Sequence, residues 1–164
     1  MDEKLFRLDG SPALVVGAGS GIGRAIACAF GSVGAVVGCA DLDERAAGET
    51  TGLIEAAGGH AVAISCDVAR EDSVKAAVAA FMGVAGAPRI LVNGAAGHDT
   101  TGTILDVEPA EWNAVLGVNL TGPYLMSREV LPHMIAAGGG SIIHIASQMG
   151  RVGAHQRPAY CATK

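Results

Sequence analysis

The sequence predicts an α/β fold built on a doubly wound parallel sheet. Three features carry that prediction. Short apolar runs rich in β-branched residues alternate with Ala-rich stretches of helical length. The runs end on Gly, Asp, Asn or Ser, as buried strands do. The chain is also 50% hydrophobic and only 16% charged, against a usual charged share of roughly 25%. Strands covered by helices on both faces need that apolar excess.

Taken in order, the predicted strands are residues 13–16, 36–40, 61–65, 90–92 and 141–145. Helices are predicted between them at residues 22–33, 44–57 and 71–84, with a longer helical region over 110–137 broken near Gly122 and Pro123. Strict β and α alternation implies right-handed crossovers. Ligands of such sheets bind beyond the carboxyl ends of the strands. The segments to examine are therefore residues 17–23, Asp41, Asp67 with Val68, residues 93–96 and residues 146–150. No linker, repeat or low-complexity segment divides the 164 residues, which are read as one domain.

Several classes of function are disfavoured at this level. A net charge of −5 argues against a nucleic-acid surface. The stretch 25–40 is uncharged over 16 residues, short of the ~20 that span a bilayer. The first ten residues carry Asp2, Glu3, Lys4, Arg7 and Asp9, unlike a secretory leader. The chain is expected to be soluble and cytoplasmic. Cys28, Cys39, Cys66 and Cys161 form no paired spacing, and the five histidines form none either. Reduced thiols and no metal are expected.

After the first strand comes Gly17-Ala18-Gly19-Ser20-Gly21-Ile22-Gly23. G-x-G-x-x-G fails here, and G-x-x-x-G-x-G fits on Gly17, Gly21 and Gly23. In this reading Gly17 permits the turn, Gly21 lets backbone approach a pyrophosphate, and Gly23 lets the helix pack on the sheet. Free N–H groups of Gly21 and Ile22 at the helix start would meet the phosphates. Asp41 ends the second strand 18 residues after Gly23, near the ~20 at which an acid accepts ribose hydroxyls. Such a carboxylate repels a 2′-phosphate, and the uncharged Ser20 offers nothing to offset it, so NAD is expected rather than NADP. Asp41 could instead cap the following helix, as could Asp43, and Arg45 lies close enough in sequence to reach a phosphate.

With these motifs in order, the chain resembles the short-chain dehydrogenase/reductase family, a Rossmann-type fold, over nearly its whole length. Val16-Gly17-Ala18-Gly19-Ser20-Gly21-Ile22-Gly23 is similar to the family's T-G-x-x-x-G-x-G, with Val16 in place of threonine. Asp67-Val68 resembles the pair beside adenine, which Leu42 would also flank. Asn93-Gly94-Ala95-Ala96 resembles N-N-A-G with two departures that leave Asn93 intact, and the resemblance implies that Asn93 and Ala95 bind the cofactor. The resemblance implies catalytic roles for Asn119, Ser147, Tyr160 and Lys164. Tyr160 and Lys164 form Y-x-x-x-K, and Ser147 lies 13 residues before Tyr160.

Those residue types suit hydride transfer from an alcohol. The hydroxyl proton must leave as hydride departs, and a phenol ionises too reluctantly to take it unaided. An ammonium about 4 Å away favours the phenolate by up to roughly 4 kcal/mol, and helical spacing of four puts Lys164 on the face of Tyr160. The resemblance further implies that Lys164 binds the nicotinamide ribose, Ser147 holds the substrate oxygen, and Asn119 holds a relay water. Expected partners are a small alcohol or ketone and, for the complete chain, a homodimer or homotetramer. Gln148, His155 and Arg157 favour a polar substrate such as a sugar, polyol or hydroxy acid. A 3-oxoacyl-thioester reductase and a non-catalytic NAD-sensing protein are the alternatives. Relatives continue beyond the lysine, so the domain is expected to be incomplete at its carboxyl end, and this length alone inactive.

Overall fold

A computed structural model describes residues 6–97 and 102–164. The first five residues lie outside this description, as do residues 98–101, part of the stretch 94–103 that the sequence leads one to expect near the substrate. Five parallel strands form one sheet: β1 (Pro12–Val16), β2 (Val36–Asp41), β3 (His60–Ser65), β4 (Ile90–Asn93) and β5 (Ser141–His144). Their spatial order is β3-β2-β1-β4-β5. The order reverses between β1 and β4, where Val16 pairs with Asn93. A crevice opens there because the connections after these two strands leave in opposite directions.

Period-two alternation divides the core. From β1, Ala13 and Val15 face a layer formed by α1 (Gly21–Ser32) and α2 (Glu44–Ala56), with Val37, Cys39, Ala27 and Ile54. Leu14 and Val16 face the other layer, where α3 (Glu71–Ala85) and α5 (Gly122–Ala136) supply Val74, Phe81, Met126, Val130 and Met134. Gly38 on β2 leaves room for Phe81, since a Cβ there would lie 2.5 Å from its ring. Asp43 caps α2, accepting the N–H groups of Arg45 and Ala46 at 3.0 and 3.2 Å. Two strands depart from the expected double burial: β3 and β5 are the sheet edges, and Ser141, Ile143 and His144 of β5 are exposed. β5 also stops one residue before the expected Ile145.

The predicted break near Gly122 and Pro123 is corrected. Helix α4 (Pro109–Leu116) passes through a π-helical turn at Gly117–Thr121 directly into α5. Pro123 has no N–H to give the Asn119 carbonyl four residues earlier, so an α-helical ladder cannot continue through this turn. The backbone widens instead, and Gly122 N–H bonds the Gly117 carbonyl. A final short helix, α6 (Pro158–Thr163), follows a 3-10 turn at Gln148–Gly150. No helix among the described residues is long and apolar enough to cross a membrane.

Candidate active site

The carboxyl ends of β1, β2, β4 and β5 surround a cavity of about 690 Å³. The loop between β1 and α1 forms its floor. Gly17 adopts φ +77°, and a Cβ there would lie 2.6 Å from the Ala95 nitrogen, so the loop and the segment after β4 touch through glycine alone. A Cβ on Gly23 would lie 2.0 Å from the Gly17 carbonyl oxygen, which is how closely α1 sits on its own strand. Gly21 differs: at φ +52° its Cβ position meets nothing within 4 Å, leaving open space over the start of α1. Ser20, at the helix cap, makes no side-chain capping bond, and no acidic residue occupies the first turn. An anion fits there, against backbone N–H groups and the positive end of the helix dipole.

Farther along the cavity, Ile22 and Leu42 are 65% and 72% exposed. They line the cavity together with Val68 and the carboxylate of Asp67. Asp41 lines the same region. Its Oδ2 accepts Gly19 N–H at 2.7 Å and its Oδ1 accepts Asp43 N–H at 3.1 Å. The helix-capping role belongs to Asp43. Arg45 does not line the cavity and pairs with Glu49 at 3.8 Å. Among the described residues, Lys164 is the only Lys or Arg lining this cavity. Cys66 also lines it, its thiol pushed up to about 11 by burial and by the nearby Asp67 and Asp41 charges. It is an inert thiol rather than a nucleophile.

Ser147, Tyr160 and Lys164 also line this cavity. Ser147 caps the 3-10 turn, its Oγ accepting Met149 N–H at 3.2 Å. Lys164 Nζ donates to the Ile145 carbonyl at 2.8 Å and lies 5.6 Å from the centre of the Tyr160 ring. Partial burial holds the Lys164 ammonium below the ordinary lysine range, so it releases its proton at a lower pH than an exposed lysine.

A second cavity of about 470 Å³ meets the first at Lys164 and contains Asn93, Asn119, Ser127 and His144. Asn119 is buried, and its amide makes three hydrogen bonds. Its Oδ1 accepts Gly97 N–H at 2.7 Å, while Nδ2 donates to the Gly97 carbonyl at 2.9 Å and to Thr163 Oγ1 at 3.1 Å. Both amide hydrogens are used, so the side-chain nitrogen has none for the expected water. Asn93 Nδ2 lies 3.3 Å from His144 Nδ1. Gln148, His155 and Arg157, expected near the substrate, line neither cavity. Gly97 falls in the stretch 94–103 that the sequence places near the site and Thr163 falls at a variable position of Y-x-x-x-K, whereas His144 is signalled only as a strand residue.

Ser147, Tyr160 and Lys164 thus line the same glycine-floored cavity. The short chain dehydrogenase family model matches residues 11–164. The chain belongs to this family. It is 40% identical over 159 residues to a D-threitol dehydrogenase of Mycolicibacterium smegmatis, covering 97% of this chain and 61% of that protein. Identity is also 40% over 160 residues to a sorbitol dehydrogenase of Cereibacter sphaeroides, with the same two coverages. A metagenomic short-chain oxidoreductase solved in complex with NADP superposes with a TM-score of 0.91, at 39% identity over 96% of this chain and 71% of that one. The chain therefore spans about three fifths of the length of these curated relatives.

Proposed function

We propose that this chain is the cofactor-binding and catalytic portion of an NAD-dependent dehydrogenase that interconverts a secondary alcohol and a ketone on a small polyol. The observation that carries this reading is the convergence of Ser147, Tyr160 and Lys164 on the cavity floored by Gly17, Ser20, Gly21, Ile22 and Gly23. NAD, when bound, supplies the hydride acceptor. Its pyrophosphate would rest on the α1 start, its adenine beside Leu42, Asp67 and Val68, and its adenosine ribose at Asp41. Ala95 would complete the far wall, while Asn93 lies in the adjoining cavity beside His144. The Asp41 carboxylate, with no cation beside it among the described lining residues, supports NAD over NADP.

Tyr160 takes the substrate hydroxyl proton in oxidation and returns it in reduction. Ser147 holds the reacting oxygen by hydrogen bond, and Lys164 makes the phenolate less costly by its charge. Asn119 holds a water through its main-chain carbonyl, which Pro123 cannot bond, rather than through the amide already tied to Gly97 and Thr163. The threitol and sorbitol dehydrogenases among the relatives support a polyol substrate. Leu131 and Ile135 stay exposed one turn apart on α5, which supports a homo-oligomer.

The complete protein, offered tetritols, hexitols, hydroxy acids and a 3-hydroxyacyl thioester, is expected to form NADH fastest with a polyol. The same assay with NADP should be slower. Equal efficiency with both cofactors would remove the assignment of Asp41. Preference for the thioester would replace the substrate class, and binding of NADH without turnover of any alcohol would indicate a sensor.

A further inference from the structure

We propose that Arg24 and Thr50 are positioning residues that lock the cofactor loop from behind, and that Asp41 holds this loop as well as facing the ribose. The proposal rests on the dinucleotide reading of the larger cavity. Its own basis is the bonding of residues 18 and 19, which lie between the two glycines with positive φ. All four of their main-chain polar groups have protein partners. Ala18 N–H bonds the Ala40 carbonyl at 3.0 Å, and the Ala18 carbonyl accepts the Thr50 hydroxyl at 2.8 Å. Gly19 N–H bonds Asp41 Oδ2 at 2.7 Å, and the Gly19 carbonyl accepts Arg24 Nη2.

The clamp is also connected within itself. Arg24 Nε donates to Thr50 Oγ1 at 3.0 Å, so one polarised path runs from guanidinium to hydroxyl to the Ala18 carbonyl. Thr50 is 0% exposed, and Glu49 balances the Arg24 charge at 3.2 Å. Gly19, which the three-glycine motif does not require, is explained by the same arrangement. A Cβ there would lie 2.7 Å from Asp41 Oδ2 and 2.9 Å from the Ala46 Cβ.

A loop fixed before the ligand arrives loses less conformational freedom on binding. Releasing it should therefore weaken dinucleotide affinity and raise the cofactor KM while leaving turnover at saturation. Asp41 then affects two properties at once. Asp41→Ala removes the charge that opposes a 2′-phosphate, yet frees Gly19 and weakens both cofactors. Asp41→Asn keeps an oxygen for Gly19 N–H and removes the charge, giving up the longer bond from Asp43 N–H.

The test is fluorescence titration of the complete protein with NADH and NADPH, beside cofactor KM and kcat. Thr50→Val should weaken NADH binding roughly 10-fold, the scale of one hydrogen bond, with kcat nearly unchanged, and Thr50→Ser should restore it. Asp41→Ala should lose affinity for both cofactors, whereas Asp41→Asn should gain affinity for NADPH. Should Thr50→Val fail to fold, Arg24→Lys reads the same clamp, because an ammonium cannot span both Gly19 and Thr50. Unmodified protein that binds neither dinucleotide overturns the cofactor reading and this proposal with it. Unmodified protein that binds NADH while Thr50→Val, or in its place Arg24→Lys, binds equally well overturns the clamp alone.

Discussion

Tyr160→Phe in the complete protein is expected to lower kcat by about 10³-fold, within the range that a positioned acid or base contributes, while NADH binding stays nearly unchanged. Phe keeps the ring against the cavity wall and loses only the oxygen that exchanges the proton. Lys164 keeps its bond to the Ile145 carbonyl, which does not depend on that oxygen. Comparing single-turnover rates with NADH fluorescence titration separates chemistry from binding. Near-normal turnover would mean that another group takes the proton, and parallel loss of binding would mean that the hydroxyl supports the cavity instead.

Gly23→Ala is expected to destabilise the fold by roughly 3 kcal/mol or more, at the upper end of overpacking costs. Its new methyl would sit 2.0 Å from the Gly17 carbonyl oxygen and 2.7 Å from its carbon, and backbone cannot swing aside as a side chain can. Either α1 lifts from β1 and opens the layer containing Ala27 and Val15, or the loop distorts at Gly17. Gly48→Ala on α2 provides the contrast, since its Cβ would meet nothing within 4 Å. There the gain in helix propensity should stabilise by about 1 kcal/mol. Denaturant midpoints of the two variants should move in opposite directions. Equal midpoints would show that α1 retreats from its strand at little cost.

These contrasts mark what the sequence made legible. Central strands β1 and β4 were readable because apolar runs closed by Gly or Asn have few other folds available. The edges β3 and β5 read alike, because residue types do not tell which strand lies outermost. A Gly-Pro pair signals interrupted helix in general, and only the fold decides between a break and a widened turn. Tyr160, Lys164, Ser147 and the glycine loop stand at fixed spacings and could be found. Arg24 and Thr50 could not, because an arginine and a threonine on helices look like ordinary helical residues until α2 brings Thr50 against Ala18.

One amide side chain ties together three stretches of chain. Asn119, in the π-helical turn, binds both main-chain groups of Gly97 after β4 and the hydroxyl of Thr163 on α6. Thr163 and Gly97 lie far apart in sequence, so a side chain bonded to both couples the local opening of the two segments. When α6 loosens, Asn119 should loosen the Gly97 strap with it, as one cooperative unit. Amide exchange would reveal this as a shared protection factor for Gly97 and α6, well below that of Leu14 and Val15 in the centre of the sheet. Warming would then dissolve catalytic competence several degrees before the sheet itself gives way. Distinct exchange rates for Gly97 and α6 would show that Asn119 bridges them without coupling them.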